Sequence, residues 1–489
     1  MLHPIQNGTC MRRAAHLTSL AVLTLCAASA PKPANAQSPT AMVVAPPPKP
    51  FVLPADTRIV LPNGLTVLML EKHDLPLVSI SVATRSGSVA DPDGKEGLAV
   101  LTAGLLRKGT ATRSAEQVSN DLDFIGMQYG AGASFDSTTI SADFLKKDQA
   151  TALGLLTDLM LHPAFPEAEV TKALAQQRDS VRAGKDNPQA VLALYYRKFL
   201  YGSHPYGRPT GGDEASLKNI TRDDVLAFYK TNYTPGNTIL AVAGGFDAAA
   251  MKSALQQSFG AWSGAAPKHA PLPTLKPETG RRLLFVDKPD ATQTYFSMGN
   301  IGVDATNPDR AAIQVVNTLY GGRFTSLFNT ELRIKSGYSY GASSSFTELR
   351  APGPFTMTTY TRNATTVPAM DRTIEVVNTA HANGFTEEQL TSAKNSIAGS
   401  LPPQLETSQE LASVLARNEL YGITRDQFNQ NLAAIQKTTV VDEKRVLAQD
   451  FPTADNLVIV VIGKASDVGS AMSKYAPKVS MKKIGDPGY

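Results

Sequence analysis

The pattern of apolar and polar positions divides most of the chain into short strands and amphipathic helices. Near its start, "RIVLPNGLTVLMLEKHDLPLVSISVATRSGS" holds two strand-like runs. One is turned at Pro62-Asn63-Gly64, and the next alternates Val78, Ile80 and Val82. The spacing then predicts helices at 95–108, 114–126, 148–161, 167–183 and 188–200. "ITRDDVLAFYKTNY" adds another with a Thr cap. The run closes with a strand, "NTILAVAGGF", and an amphipathic helix to Trp262.

After a Pro-rich stretch the order begins again. Strands "RRLLFVDKP" and "TQTYFSMGNIG" precede a helix at 308–319, a Gly-containing turn and a further helix to Arg333. Strands "YGASSSFTEL" and "GPFTMTTYTR" come next, then helices at 367–383, 386–400 and 408–421. The closing "DNLVIVVIGKASDV" echoes "GNTILAVAGGFDAA". Strands in runs alternating with helices in runs imply an α+β class, each sheet covered by helices. A repeat this long is a duplicated domain rather than a solenoid.

The expected division is a signal at 1–36, a Pro-rich tether at 37–52, one domain at 53–262, a linker at 263–280 and a second domain at 281–489. The first 36 residues place Arg12 and Arg13 before an apolar run and end on Ala34-Asn35-Ala36, the order of a secretory signal. Cleavage after Ala36 is the expectation. Lipidation at Cys26 is the alternative, although Leu25 stands where a small residue is preferred. Either Met1 or Met11 can serve as the start. The apolar run is too short for a membrane span, so the mature chain is expected to have none.

Removing the signal changes what the composition says. Cys10 and Cys26 both leave with it, so neither a disulfide nor a Cys-ligated zinc site can form. Loss of Arg12, Arg13 and Lys32, with no acid, takes the formal charge from +4 to +1. With no basic stripe left, a nucleic-acid partner is excluded.

Five histidines remain: His73, His162, His204, His269 and His381. No two fall within one helical turn, the spacing that lets helical ligands share a metal. No Gly-x-Ser-x-Gly elbow occurs, and "YGGRFTSLF" lacks the Lys-Ser/Thr of a phosphate loop.

Several frames nevertheless agree in order with one family. "LPNGLTVLMLEKHDLPLVSISVATRSGS", "GKEGLAVLTAGLLRKGT", "HPYGRPTGGDEASLKNITRDDVLAFYKTNYTPGNTILAVAGGFD" and "NTLYGGRFTSLFNTELRIKSGYSYGASSSF" resemble the pitrilysin-like M16 (inverted zincin) peptidases, related to the mitochondrial processing peptidase subunits. The resemblance runs from about Val60 to about Gly463. It implies two homologous α/β-sandwich domains, with mostly antiparallel sheets, facing each other as a clam shell. The family's His-x-x-Glu-His would place zinc ligands at Val100 and Gly104 and the general base at Ala103, residues that can neither bind metal nor take a proton. Its third ligand would fall near Asp179 and Ser180, where no Glu stands.

The resemblance also assigns an Arg and a Tyr of the second domain, matched by Arg333 and Tyr340, to substrate and transition-state binding. An Arg fork can hold a carbonyl or carboxylate, and a Tyr hydroxyl can donate to an oxyanion. Tyr338 has the same strand parity as Tyr340, so register alone leaves both open; the resemblance favours Tyr340, with Tyr338 in place of the family's usual Leu. The implied function is a non-metal-binding subunit of a secreted, periplasmic heterodimer that cleaves peptides. Its homologous partner would carry His-x-x-Glu-His and the Zn2+, with no cofactor in this chain. A non-enzymatic peptide-binding or scaffold protein is the rival. A peptidase with an unfamiliar metal site ranks last.

Overall fold

The computed structural model describes residues 52–275 and 278–489. The signal at 1–36, Cys26 and the tether before residue 52 lie outside them.

The first half opens with a hairpin, β1 (Thr57–Val60) and β2 (Thr66–Glu71). Its turn uses the positive φ of Gly64, +93°. β3 (Leu77–Thr84), α1 (Leu98–Leu105), α2 (Ala115–Phe124), β4 (Gln128–Ala133) and β5 (Thr138–Leu145) follow. Then come α3 (Gln149–Leu161), α4 (Glu167–Gly184), α5 (Pro188–Tyr201), α6 (Arg222–Asn232), β6 (Thr238–Gly244) and α7 (Ala248–Phe259). The sheet order is β1-β2-β6-β3-β5-β4, antiparallel except at β2–β6.

The second half repeats this plan. It consists of β7 (Arg282–Asp287), β8 (Gln293–Ile301), α8 (Arg310–Asn317), α9 (Leu327–Asn329), β9 (Ala342–Phe346) and β10 (Pro354–Arg362). α10 (Thr366–Asn383), α11 (Glu387–Ser400), α12 (Ser408–Tyr421), α13 (Arg425–Lys437), α14 (Val440–Asp450), β11 (Val458–Gly463) and β12 (Val479–Lys483) complete it. Its order, β12-β7-β11-β8-β10-β9, matches the first sheet strand for strand from β7 onward. β6 and β11, the two echoing runs, hold equivalent central positions. The outermost strand breaks the symmetry: β1 precedes β2 and runs antiparallel to it, whereas β12 comes from the chain's end and runs parallel to β7.

The α+β class and the two helix-covered sheets agree with the pattern in the sequence. Strands β4, β5 and β12 and helices α13 and α14 were not legible there. The helix expected at 308–319, the Gly-containing turn and the further helix to Arg333 are all present, but the backbone widens in two places. α8 stops at Asn317, a wide turn covers Thr318–Gly322, and α9 runs on as a second wide turn, Thr330–Lys335. The strand expected from Tyr340 begins at Ala342.

Each sheet has two apolar faces, and only one is covered by helices of its own half. Leu68, Leu70, Ala83, Ile239, Ala241 and Ala243 of the first sheet pack against Leu411, Ala412, Leu415 and Ala416 of α12. Reciprocally, Val191, Leu192, Tyr195 and Tyr196 of α5 cover Leu284, Val286, Val458, Val460 and Ile462 of the second. The halves thus exchange a helix. That explains why β6 and β11 are buried at every position and read as unbroken apolar runs.

A buried carboxylate locks the exchange. Asp136, with no exposed surface, accepts from Tyr206 Oη at 2.9 Å, the Arg350 backbone N–H at 2.8 Å and Tyr421 Oη at 3.3 Å. Tyr206 Oη also accepts from the Ala351 N–H at 3.1 Å. Asp136 and Tyr206 belong to the first half, and Arg350, Ala351 and Tyr421 to the second. Burial and the Asp136 charge push the Tyr206 phenol well above its ordinary range. Asp136→Ala leaves three donors without their acceptor in the interface between the halves, so it should cost at least about 2 kcal/mol. Urea unfolding followed by circular dichroism measures this; a midpoint within error of wild type would contradict the lock.

Candidate functional site

α1 carries the positions of the degenerate metal motif. Ala103 is buried in the core, Val100 is half-buried and Gly104 is exposed, with open space where a Cβ would stand. α4 packs beside α1, but the bridge between them is a neutral amide. Gln177 Nε2 donates to the Gly97 carbonyl at 3.2 Å and the Gly211 carbonyl at 2.9 Å. Asp179 and Ser180 are exposed on α4, and Asp179 lies 3.8 Å from Arg182 in an i,i+3 pair. Among the described residues no three His, Cys, Asp or Glu side chains gather as a metal site. The residues at the motif positions do not fit zinc.

The histidines have structural partners instead. His204 Nδ1 accepts from the Tyr206 N–H at 3.1 Å, and His381 Nε2 is 3.1 Å from the Pro452 carbonyl. His269 Nε2 meets Ser86 Oγ at 2.8 Å and pins the linker.

α1 begins at Gly97, in the left-handed region at φ +99°, with no side chain of its own as a cap. Asp91 supplies the cap from outside the helix. Its carboxylate accepts from the Gly97 N–H at 2.9 Å and the Ala99 N–H at 2.8 Å. Burial pushes its pKa up to about 7, against the pull of those two donors.

Arg333 and Tyr340 lie on either side of Gly337, whose φ of +63° lets the chain reverse between them. Both line one cavity of about 490 Å³, with Gln293, Tyr338, Tyr360 and Arg362. The Arg333 guanidinium stands 4.8 Å over the ring of Phe324. Tyr340 is 78% exposed. Tyr338 is half-buried and packs against the second core, with its carbonyl accepting from Thr361 Oγ1 at 2.7 Å. The two tyrosines precede β9 and share no strand face, so the assumed parity does not apply. Packing distinguishes them: both line the cavity, but Tyr340 is largely exposed whereas Tyr338 packs against the core.

The sequence pointed to neither Gln293 nor Arg362. They meet because β8 and β10 pair in a register that places Arg362 opposite Gln293 and Tyr360 opposite Tyr295. The Tyr295 hydroxyl donates to Gln293 Oε1 at 2.9 Å, and the Tyr295 and Tyr360 rings stack at 5.5 Å.

This fold and the two unequal halves of the site define a peptidase-type scaffold. The family model described as Insulinase (Peptidase family M16) matches residues 66–214, and the one described as Peptidase M16 inactive domain matches 219–397. The chain belongs to the M16 peptidase family. It is 28% identical over 397 residues to an uncharacterized zinc protease of Mycobacterium tuberculosis, covering 80% of this chain and 90% of that one. Another named zinc protease, from Bacillus subtilis, is 26% identical over 364 residues, covering 74% of this chain and 88% of that one. An M16 inactive domain from Pseudomonas fluorescens superposes with a TM-score of 0.79 at 26% identity, covering 84% of this chain and 98% of that one. At 17% identity, complex III2 of Candida albicans contains a chain of the same fold, with a TM-score of 0.70 over 84% of this chain and 97% of that one.

The Asp91 cap gives a signed pH dependence. A carboxyl whose pKa is raised on folding contributes stability at low pH, and that contribution is lost as pH rises from about 4 to about 7. Relative to Asp91→Asn, the wild type should therefore gain up to a few kcal/mol on acidification from pH 7 to pH 4. Thermal melts of both proteins at several pH values check this. A difference that stays flat or shrinks toward pH 4 would contradict it.

Proposed function

We propose that this chain is the non-metal-binding subunit of a heterodimeric M16 zinc peptidase, secreted and periplasmic. Its homologous partner carries His-x-x-Glu-His. One observation carries the reading: the metal half of the site is chemically empty at Val100, Ala103 and Gly104, while Arg333 and Tyr340 open into a shared cavity. Phe324, Ile334 and Tyr340 beside that cavity are 59%, 58% and 78% exposed, an apolar cluster suited to contact with another chain. The signal-like leader supports export.

In this reading the partner's metal supplies the activated water. The Arg333 fork holds a substrate carbonyl in place. The Tyr340 hydroxyl donates to the oxyanion that develops there. Asn329 keeps the two sides of the site in register. Its Nδ2 donates to the Phe324 carbonyl at 2.6 Å, and its Oδ1 accepts from the Ala342 N–H at 3.1 Å.

Removing one preorganised oxyanion donor costs roughly 10²–10³ in kcat. Tyr340→Phe should therefore depress kcat of the complex by about that factor, and more than Tyr338→Phe does. Arg333→Ala should lower kcat/KM, and size-exclusion chromatography should show the complexes intact. Unchanged turnover in both the Arg333 and Tyr340 variants would remove the catalytic role and leave the chain as a scaffold.

A further inference from the structure

The cavity that holds Arg333 and Tyr340 is one lobe of a longer trough. A second lobe, of about 440 Å³, is lined by Arg323, Phe324, Asn329 and, from α5, Gln189. Arg333 and Tyr360 line both lobes. Three arginines thus line the trough, and no Asp or Glu does.

Other cations of this half have carboxylate partners. Glu331 pairs with Lys335 at 2.7 Å and lies 3.8 Å from Arg372, while Arg310 and Arg417 share Glu348 at 2.9 and 2.8 Å. Among the described residues no carboxylate comes within 4.0 Å of Arg323, Arg333 or Arg362.

Donors on these side chains remain without a carboxylate partner. Arg323 Nη1 donates to Ser392 Oγ at 3.1 Å, and its buried Nε has no acceptor among the described residues. Arg333 stacks a face on Phe324, which leaves its in-plane N–H groups for an acceptor. Gln293 uses its oxygen for Tyr295, so its amide N–H groups are what it can offer beside Arg362. A concave surface of unneutralised arginines concentrates anions, and guanidinium forks match carboxylates in two-bond geometry.

We propose that this trough is a carboxylate-recognition subsite that selects acidic segments of extended peptides. Arg362 engages one Asp or Glu side chain in one lobe and Arg323 another in the second, on either side of Arg333. The inference rests on the reading of Arg333 and Tyr340 as a peptide site, and it adds the substrate class.

The test uses labelled, unstructured peptides of one length, amidated at the C-terminus and carrying three Glu, three Gln or three Lys. Fluorescence anisotropy against the purified chain at low ionic strength should show the Glu peptide bound at least about tenfold more tightly than the Gln peptide, with Lys weakest. Raising the salt to about 1 M, where charges are screened within about 3 Å, should narrow the gap. Arg362→Glu should reverse the order in favour of Lys, and Arg323→Gln should shrink the Glu-to-Gln ratio, with thermal melts confirming that both variants are folded.

Equal affinity for Glu and Gln peptides, or a Glu preference that survives Arg362→Glu, would overturn the proposal. A Gln peptide with a free C-terminal carboxylate that binds as tightly as the amidated Glu peptide would overturn the side-chain assignment in favour of the chain end. Cleavage by the complex separates the two readings. Normal turnover of the Gln peptide without any Glu preference would sink the subsite alone, whereas absence of a zinc-bearing partner and of cleavage would sink the subunit reading beneath it.

Discussion

The exchange of helices between the halves is the constraint on which the molecule depends. A sheet whose two faces are both apolar cannot stand alone in water, and each half can cover only one face with its own helices. α12 seals the first sheet and α5 the second, so neither half buries its core without the other. The contact is largely apolar but also carries charge: Asp136, fully buried, collects donors from both halves, and Glu419 sits 2.9 Å from Arg58. A buried carboxylate with several donors specifies one alignment of the halves, because any other leaves those groups unpaired.

This arrangement also positions the site. α5 does two jobs: its apolar side closes the second sheet, and Gln189 in its first turn lines the trough beside Arg333. Arg333 sits on the widened helical turn after α9 and Tyr338 and Tyr340 on the irregular segment that follows, and this stretch is tied to rigid strands through Asn329, Ser339 and Thr359. Thr359 Oγ1 donates to Ser339 Oγ at 2.8 Å. α1 keeps its cap at Asp91 and its bridge to α4 through Gln177. The framework that would hold a metal motif is therefore maintained by contacts that need no ligand residues, which explains how the fold tolerates Val100, Ala103 and Gly104.

Much of the fold was legible in the sequence where a single element carried its own signal. The unbroken runs "TILAVAG" and "VIVVIG" announced strands, and their echo announced the duplication; their central place in each sheet came from the structure. Capped helices such as α6 and α12 were found to within a residue or two. The exchange itself was not legible. α5 buries Val191, Leu192, Tyr195, Tyr196, Leu200 and Tyr201, a broad apolar face that does not say which sheet receives it. β4, "QYGAGA", is half-exposed and rich in Gly, so it lacks the alternation that marks a strand. Arg333 and Tyr340 were singled out through family frames, and the structure places both, with Tyr338, around one cavity. The partners Gln293 and Arg362 needed strand register, which pairs residues 69 positions apart.

The central claim is a division of chemistry between two chains, this one supplying binding and oxyanion donors and the other the metal. The most direct measurement is to isolate the tagged protein from its native envelope fraction and assay the eluate for chain composition, zinc per complex and hydrolysis of a quenched fluorescent peptide. The account predicts a homologous second chain with His-x-x-Glu-His, one zinc per pair and cleavage abolished by chelator. A lone chain with neither zinc nor cleavage would contradict it.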